Sequence, residues 1–216
     1  AMPFPTTGVV DNFNRADENP LSDGGKWTNP WFAGDGNLQV LTNQCARTVT
    51  FSDAYRNDLN YGPDTEVFVT VAALAITDDH AYLGLRLALP TSNDGYALAS
   101  IVDVGTDIWR VRRIDAEVQT QLGADILQEV SVGDGVGLDM VSSTLTVYYR
   151  SAGSWSSLGT RTDGTYTAAG KISLGTGNDI PRLDDFGGGT VVVAAAAARG
   201  HGALLAGLRN RVIQRV

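Results

Sequence analysis

The residues of this chain best suited to contact a ligand are tyrosines and arginines on alternating strand-like segments. Residues 81–89, 108–114 and 144–150 alternate apolar and polar side chains, and successive side chains of a strand point to opposite faces. The polar members therefore predict one exposed face, made of Tyr82, Arg86, Arg110, Arg112, Tyr148 and Arg150. Aromatic rings stack on the apolar side of a sugar ring and guanidinium groups donate to its hydroxyls, so this face predicts a glycan-binding surface.

A further aromatic cluster lies in the Pro- and Gly-rich stretch 26–34. It contains Trp27, Trp31 and Phe32, and a tryptophan can either fill the core or stack on a ligand. We expect Trp27 and Trp109 in the core, the latter from its place in the alternation of its segment. Trp31 is less constrained, and we include it among the ligand-binding candidates.

The acidic residues do not form the pattern that glycoside hydrolysis requires. A hydrolase needs two carboxyl groups about 5–9 Å apart across the scissile bond. The glutamates are scattered, and most aspartates stand in turns, where they cap their own backbone; Asp103 and Asp139 follow strand-like residues. His80, close to Tyr82 and Arg86, is the candidate base for a lyase. We assign no catalytic residue and keep a polysaccharide-degrading hydrolase or lyase as an alternative.

Charge is unevenly distributed along the 216 residues, whose net charge is −8. The first 189 residues carry 24 acidic and 12 basic side chains, whereas residues 190–216 carry four arginines and no acid. An acidic body repels phosphate backbones, which argues against nucleic acid as a partner. The single cysteine, Cys45, excludes an intramolecular disulfide, and the longest small apolar run, 191–198, is too short to span a membrane.

Short strand-like segments separated by turn signals predict an all-β fold. Asp-Gly pairs at 35–36, 94–95, 134–135 and 163–164 punctuate these segments, and no helical pattern intervenes between them. This arrangement favours a two-sheet antiparallel sandwich over an α/β fold.

The C-terminal segment differs in character from the strand-rich body. Apolar residues at three- and four-residue spacing predict a short helix over residues 203–216, and the triple glycine 187–189 predicts a hinge before it. We therefore expect a sandwich over residues 1–189 and a basic, Ala-rich tail over residues 190–216 that docks on its own body or on a neighbouring subunit.

Two matched motifs stand at the ends of the strand-rich region. The first is Asp11-Asn-Phe-Asn-Arg-Ala-Asp17, followed by Pro20-Leu21 and Trp27, and the second is Arg182-Leu-Asp-Asp-Phe-Gly-Gly-Gly189. With the strands between them, they resemble the concanavalin A-like, laminin-G-like jelly-roll domains of phage virion proteins and of bacterial surface or secreted proteins. The resemblance covers residues 8–190, and it implies a jelly-roll sandwich whose ligands lie across a concave sheet.

The same resemblance implies a structural calcium ion near the paired first and last strands. The residues that match those strands are Asp11, Asp184 and Asp185, and calcium takes its oxygen ligands from carboxylates and carbonyls. The sequence contains no self-contained calcium loop, so this expectation rests on the resemblance.

Two functional hypotheses remain beside the enzyme. The first is a non-catalytic, lectin-like module that binds glycans through one sheet face, on a virion or a cell surface. The second is a phage virion decoration or tail protein without ligand binding, which forms a homo-oligomer or contacts a virion neighbour through its tail. The resemblance implies a virion or an extracellular or cell-surface location, and the start of the sequence shows no signal-peptide pattern.

Overall fold

The computed structural model describes residues 3–74, 80–102, 105–177 and 181–192. Within these ranges the chain forms sixteen strands and no helix. The strands are β1 (Val9–Asp11), β2 (Trp27–Thr28), β3 (Gly36–Leu41), β4 (Gln44–Arg47), β5 (Ser52–Arg56), β6 (Thr65–Ala73), β7 (His80–Leu87), β8 (Gly95–Ile101), β9 (Ile108–Asp115), β10 (Val118–Gln121), β11 (Ile126–Leu127), β12 (Gly135–Val141), β13 (Thr144–Ser151), β14 (Ser154–Thr162), β15 (Lys171–Thr176) and β16 (Arg182–Thr190).

The strands form two sheets that pack face to face. Sheet I has the order β4-β16-β6-β12-β13-β14, and the short strand β1 also pairs with β16. Sheet II has the order β10-β9-β8-β7-β15-β5, with β11 on β9 and β2 on β5. Strand β3 pairs with β4 in sheet I and, in parallel, with β5 in sheet II, so it joins the two sheets along one side. The predicted all-β sandwich is confirmed.

The main core lies between the two sheets and consists of the inward-pointing residues of each strand. Sheet I contributes Val67 and Leu138, and sheet II contributes Leu83, Leu98 and Trp109, all fully buried. Because alternate residues of a strand face the same side, the opposite positions form the outer faces of the sandwich. Burial of each such side chain stabilises the fold by about 1.5–3 kcal/mol relative to leaving it in water.

A β-bulge in β7 divides the leucines of this strand between two apolar clusters. Arg86 has a left-handed backbone conformation, with φ at 52°, and the pairing of β7 with β15 changes register there. Leu83 and Leu85, before the bulge, point into the main core, whereas Leu87 and Leu89 pack in a second cluster. The alternation predicts all four leucines on one face, and this is wrong because a bulge inserts one residue and reverses the alternation after it.

Arg86 is 3 % exposed, and its side chain forms hydrogen bonds with the backbone of surrounding segments. Its guanidinium donates to the carbonyls of Pro63, of Tyr166 at 3.0 Å and of Met140 at 3.4 Å. The carboxylate of Asp64 lies 3.6 Å away and balances its charge. The prediction that Arg86 belongs to an exposed ligand-binding face is therefore wrong, because the bulge turns its side chain inward, where it satisfies buried backbone groups.

The predicted strand segments 81–89, 108–114 and 144–150 correspond to β7, β9 and β13. The turn between β3 and β4 is formed by Thr42 and Asn43, and both residues have the positive φ of a type I′ turn, 53° and 61°. The triple glycine 187–189, predicted as a hinge, lies inside β16 and pairs with β6. Strand β5 has no clear apolar alternation in its sequence, Ser-Asp-Ala-Tyr-Arg, and was not predicted.

The predicted tail helix over residues 203–216 lies outside the described residues, which end at residue 192, so the division into body and tail stays a prediction. No helix long and apolar enough to cross a membrane occurs among the described residues.

We expect Arg86→Ala to destabilise the fold by about 3 kcal/mol, because it leaves buried carbonyls and the nearby Asp64 without their partner. Arg110→Ala is the matched control: its guanidinium pairs with Asp125 at the surface, and its loss costs about 1 kcal/mol or less. Urea unfolding followed by tryptophan fluorescence measures both variants. Equal losses of stability in the two variants would contradict the buried role of Arg86.

Candidate functional site

The outer face of sheet II is partly covered by the segment 29–35, which runs into β3. Trp31 from this segment belongs to the second apolar cluster, with Tyr55 of β5, Leu87 of β7 and Ile114 of β9. Trp31 is only 3 % exposed. Its predicted role as a ligand-stacking ring is therefore not supported, because the ring already packs against the second apolar cluster.

Asp53 of β5 holds this segment in place. Its carboxylate accepts a hydrogen bond from the backbone N–H of Trp31 at 2.6 Å and a longer one from the N–H of Phe32 at 3.4 Å. Asp53 is 4 % exposed, so these donors compensate part of the cost of burying its carboxyl group. Beside Phe32 the segment 29–35 no longer covers sheet II, and the neighbouring part of its outer face is open.

A cavity of about 390 Å³ lies at this open part, and we call it the acidic pocket. Three aromatic side chains line it, and one of them, Phe51, is 44 % exposed. Three carboxyl groups and one amide provide its polar lining. These seven residues are Phe32, Phe51, Tyr82, Asp35, Asp53, Glu117 and Gln119. No lysine or arginine lines the pocket in the part of the chain that the structure describes.

Asp53 and Asp35 interact through their carboxyl groups, and this interaction lowers the pKa of Asp35 and raises the pKa of Asp53. The pKa of Asp53 is raised to about 8, first by burial and then by the charge of Asp35, while the Trp31 N–H opposes the rise. Burial also raises the pKa of Asp35, to which the charge of Glu117 contributes. At neutral pH the pair therefore presents one donor and several acceptors rather than two like charges.

Glu117 forms the opposite wall of the acidic pocket. Its Oε1 accepts hydrogen bonds from the backbone N–H of Ala33, at 2.9 Å, and from the side-chain amide of Asn93. These contacts tie the turn between β9 and β10 to the covering segment. The wall is thus fixed from both sides, which limits the entropy that a ligand would have to remove on binding.

Tyr82, Arg112 and Gln119 form a hydrogen-bonded rim at the other side of the pocket. The hydroxyl of Tyr82 donates to Oε1 of Gln119 at 2.6 Å, and the Arg112 guanidinium donates to both oxygens. The guanidinium also lies over the Tyr82 ring, 5.7 Å from its centroid. Of the predicted ligand-binding residues, Tyr82 therefore lines the pocket, and Arg112 does not line it but is hydrogen-bonded to two residues that do.

The predicted tyrosine-and-arginine surface is divided between opposite sides of the molecule. Arg110 lies on the outer face of sheet II with Tyr82 and Arg112, and it is paired with Asp125 at 2.9 Å. Tyr148 and Arg150 belong to β13 and lie on the outer face of sheet I. The prediction of one shared face is wrong, because alternation shows which residues of a strand share a side but not to which sheet each strand belongs.

The aspartates predicted to bind calcium do not form a metal site in the described part of the chain. Both carboxylate oxygens of Asp11 accept hydrogen bonds, from Arg15 at 2.7 and 3.2 Å, from the Phe13 N–H at 2.8 Å and from the Trp27 indole at 2.8 Å. A carboxylate paired with arginine and fully hydrogen-bonded does not fit a calcium ligand. No group of three or more metal-binding side chains occurs among the described residues.

Asp184 and Asp185, the other two predicted ligands, lie on β16. The Asp184 carboxylate accepts the N–H of Asp185 at 2.8 Å. Burial raises the pKa of Asp184, and the negative charges of Asp185 and Asp11 raise it further. These two residues and Asp11 do not form the oxygen cage that calcium requires.

Comparisons with known proteins give structural neighbours but no sequence relatives. No protein-family profile matches the chain, and no curated protein matches it. A carbohydrate-binding module, CBM66 from Bacillus subtilis, superposes with a TM-score of 0.58 at 12% identity, over 79% of this chain and 99% of the module. A Ca²⁺/Man-bound form of the VIP36 exoplasmic/lumenal domain gives 0.59 at 13% identity, over 83% and 91% of the two chains.

LamAcat from Zobellia galactanivorans gives a TM-score of 0.55 at 10% identity, over 86% of this chain and 97% of its own. The fold is a concanavalin A-like jelly roll. At these identities the likeness establishes the fold alone, and the same fold carries both binding and hydrolytic proteins.

We expect Asp53→Asn to flatten the dependence of stability on pH between pH 5 and 8. The folded protein keeps a proton on Asp53 up to pH about 8, whereas the unfolded chain releases it above the ordinary value of 3.8. The wild-type protein therefore loses stability as the pH rises through this range, and the variant should lose about 1–3 kcal/mol less. Its amide retains an acceptor for the Trp31 N–H and a donor for Asp35.

Urea unfolding at pH 5 and pH 8 checks this expectation. Asp125→Asn is the matched control, because its pairing with Arg110 lowers the pKa of Asp125 and its contribution changes only at more acidic pH. A wild-type stability that does not fall between pH 5 and 8, or a fall of the same size in Asp53→Asn, would show that Asp53 is ionised in the folded protein.

Proposed function

We propose that this protein binds glycans in the acidic pocket on the outer face of sheet II. The single observation that carries the proposal is the combination, in one cavity of about 390 Å³, of aromatic walls with a proton-sharing carboxyl pair. Aromatic rings contact the C–H face of a sugar, while carboxylates and amides bond its hydroxyls. The cavity is of the size that holds one or two rings.

The polar groups of the pocket match the hydrogen-bonding needs of a sugar. A hydroxyl is both a donor and an acceptor, and the Asp35–Asp53 pair offers both functions at one point. Glu117 and the Gln119 amide add acceptors on the opposite side. Because Asp53 and Glu117 are fixed by backbone N–H donors, the pocket is preorganised rather than formed by the ligand.

The structural neighbours support the same class of ligand. They include a carbohydrate-binding module and a VIP36 form bound to Man. They also include a lichenase and a form of LamA in complex with laminaritriose and laminaritetraose. Several of the neighbours are thus named for a carbohydrate ligand or substrate.

One observation favours an enzyme as a second candidate, namely a buried carboxyl group that keeps its proton near neutral pH, as a general acid does. Its geometry favours binding. A retaining glycosidase separates its two carboxyl groups by about 5 Å and an inverting one by more, so that a sugar or a water fits between them. Asp35 and Asp53 interact directly, which leaves no such space between them, and Glu117 on the opposite wall already accepts hydrogen bonds from the Ala33 N–H and the Asn93 amide.

A glycan-binding role agrees with a cell-surface or secreted location, where glycans are available as ligands. The virion role, the calcium ion and assembly through residues 190–216 stay predictions.

We expect Phe51→Ala and Gln119→Ala each to weaken glycan binding about tenfold, which corresponds to about 1.4 kcal/mol, because each removes one wall of the pocket. Both side chains are at the surface, so the fold should be retained. Leu59→Ala is the matched control: Leu59 is 58 % exposed and lies near Lys171, at the other end of β15 from the pocket.

A glycan array identifies the ligand, and calorimetry with the best neutral oligosaccharide then measures the variants. A blank array at high protein concentration, or equal affinities of Phe51→Ala and the wild type, would count against the proposal. Release of reducing ends from the bound oligosaccharide would favour the enzyme instead.

A further inference from the structure

The outer face of sheet I carries its own docked peptide. Residues 3–7, which we call the arm, cross this face before the chain enters β1. The Phe4 ring stacks flat on Tyr148, with centroids 3.8 Å apart and planes 3° from parallel. The edges of Trp155 and Phe68 close the two sides, at centroid distances of 4.9 and 6.3 Å. One ring is thus held by three others.

The floor of this slot consists of glycines on two strands. A Cβ atom added to Gly137 would lie 2.6 Å from the Phe4 ring, and one added to Gly135 would lie 2.7 Å from Trp155. A Cβ on Gly187 would collide with Phe68. The rings therefore lie directly on the backbone of β12 and β16, which only glycine permits. We use the word slot for this floor together with Tyr148, Trp155 and Phe68.

A buried carboxylate recognises the backbone of the arm. Oε1 of Glu66 accepts the N–H of Thr6 at 2.7 Å, the N–H of Thr7 at 2.5 Å and the Thr7 hydroxyl at 2.6 Å. Glu66 is 1 % exposed. Two consecutive backbone N–H groups are a feature of a peptide, so the slot and Glu66 together match an aromatic residue followed two and three positions later by such donors.

A further acceptor in the same face lacks a partner. Asp139 is directly opposite Glu66 on β12, and the Tyr148 hydroxyl donates to its Oδ2 at 3.1 Å. Its Oδ1 is buried and has no hydrogen-bond partner among the described residues, and Asp139 as a whole is 9 % exposed. Through the Tyr148 hydroxyl, Asp139 holds the ring on which Phe4 stacks, so it positions one wall of the slot.

We propose that the slot, with Glu66 and Asp139, is a peptide-docking site that the chain fills with its own arm, and that the arm of a second copy docks there in exchange. The occupant seen in the structure is itself an extended peptide, which identifies the class of partner. Gly8 joins the arm to β1 and, as a glycine, has a wide choice of backbone angles; in the described part of the chain a single hydrogen bond, from the Gly188 N–H at 3.3 Å, holds its carbonyl. Exchange of an identical segment is a low-cost route to dimers.

The arm in the same chain competes with any arm from outside, at an effective concentration on the order of millimolar. The site must therefore be freed before docking in trans is measured. Phe4→Ala in the full chain empties the slot and leaves the arm held at Glu66 by Thr6 and Thr7, which an incoming arm with its phenylalanine should displace; the double variant Phe4→Ala/Gly137→Ala blocks the slot with the added methyl group. The probe is a dye-labelled peptide with the sequence of residues 1–8.

We expect the peptide to bind Phe4→Ala, and to bind the wild type and the double variant at least tenfold more weakly. A peptide whose phenylalanine is replaced by alanine should not bind at all. Fluorescence anisotropy measures the affinities, and near-UV circular dichroism checks that each variant is folded. A folded Phe4→Ala protein that does not bind the peptide, or that binds an oligosaccharide in the slot instead, would overturn the proposal.

A second experiment tests exchange between copies and does not depend on the synthetic peptide. Gly137→Ala expels the ring and supplies a free arm, whereas Phe4→Ala supplies an empty slot. Dye-labelled Phe4→Ala protein should sediment faster when unlabelled Gly137→Ala protein is added than when unlabelled Phe4→Ala protein is added. Equal sedimentation in the two mixtures would show that the arm serves only its own chain.

Discussion

The buried carboxylate of Asp11 holds together the parts of the chain on which the rest of the sandwich depends. It accepts the indole N–H of Trp27, at 2.8 Å, and the guanidinium of Arg15. Trp27 packs on Phe186 of the last strand, with ring centroids 5.1 Å apart, and it pairs with Arg56 at the end of β5. One acid thus links the first motif, the last motif and the edge of sheet II.

The hydrogen bond between Asp11 and Trp27 also determines where the acidic pocket lies. With Trp27 fixed beside β5, the segment 29–35 has to fold back over the same edge, where Asp53 receives its backbone N–H groups. The bulge at Arg86 supplies the apolar surface on which the segment rests, because it sends Leu87 to the outer side of sheet II. A local irregularity of one strand therefore decides how much of the face is covered and how much stays open.

The sequence predicted the architecture more completely than the site. Regular alternation in β9 and β13 correctly separated Trp109 from Arg110 and Val147 from Tyr148, because the period of a strand is local. The acidic pocket depends on Asp53, which lies in a strand whose sequence shows no alternation, and on Glu117, which lies in a turn. Asp53 and Glu117 are brought together by the strand order, the bulges and the paths of the loops, and none of these can be read from a short segment of sequence. Asp11 lies on β1 and Asp184 and Asp185 lie on β16, and these strands are paired as expected. The carboxylates of Asp11 and Asp184 accept hydrogen bonds within the fold.

Because Asp35 and Asp53 share a proton, a ligand that binds in the acidic pocket would change the protonation of this pair. A ligand hydroxyl that replaces one carboxyl group as partner of the other changes the affinity of the Asp35–Asp53 pair for its proton. If glycans bind there as proposed, the protein would exchange protons with the solution as the site fills. The measured binding enthalpy would consequently vary with the ionisation enthalpy of the buffer. A protein that only binds its ligand would then show the buffer dependence that is typical of an acid–base reaction.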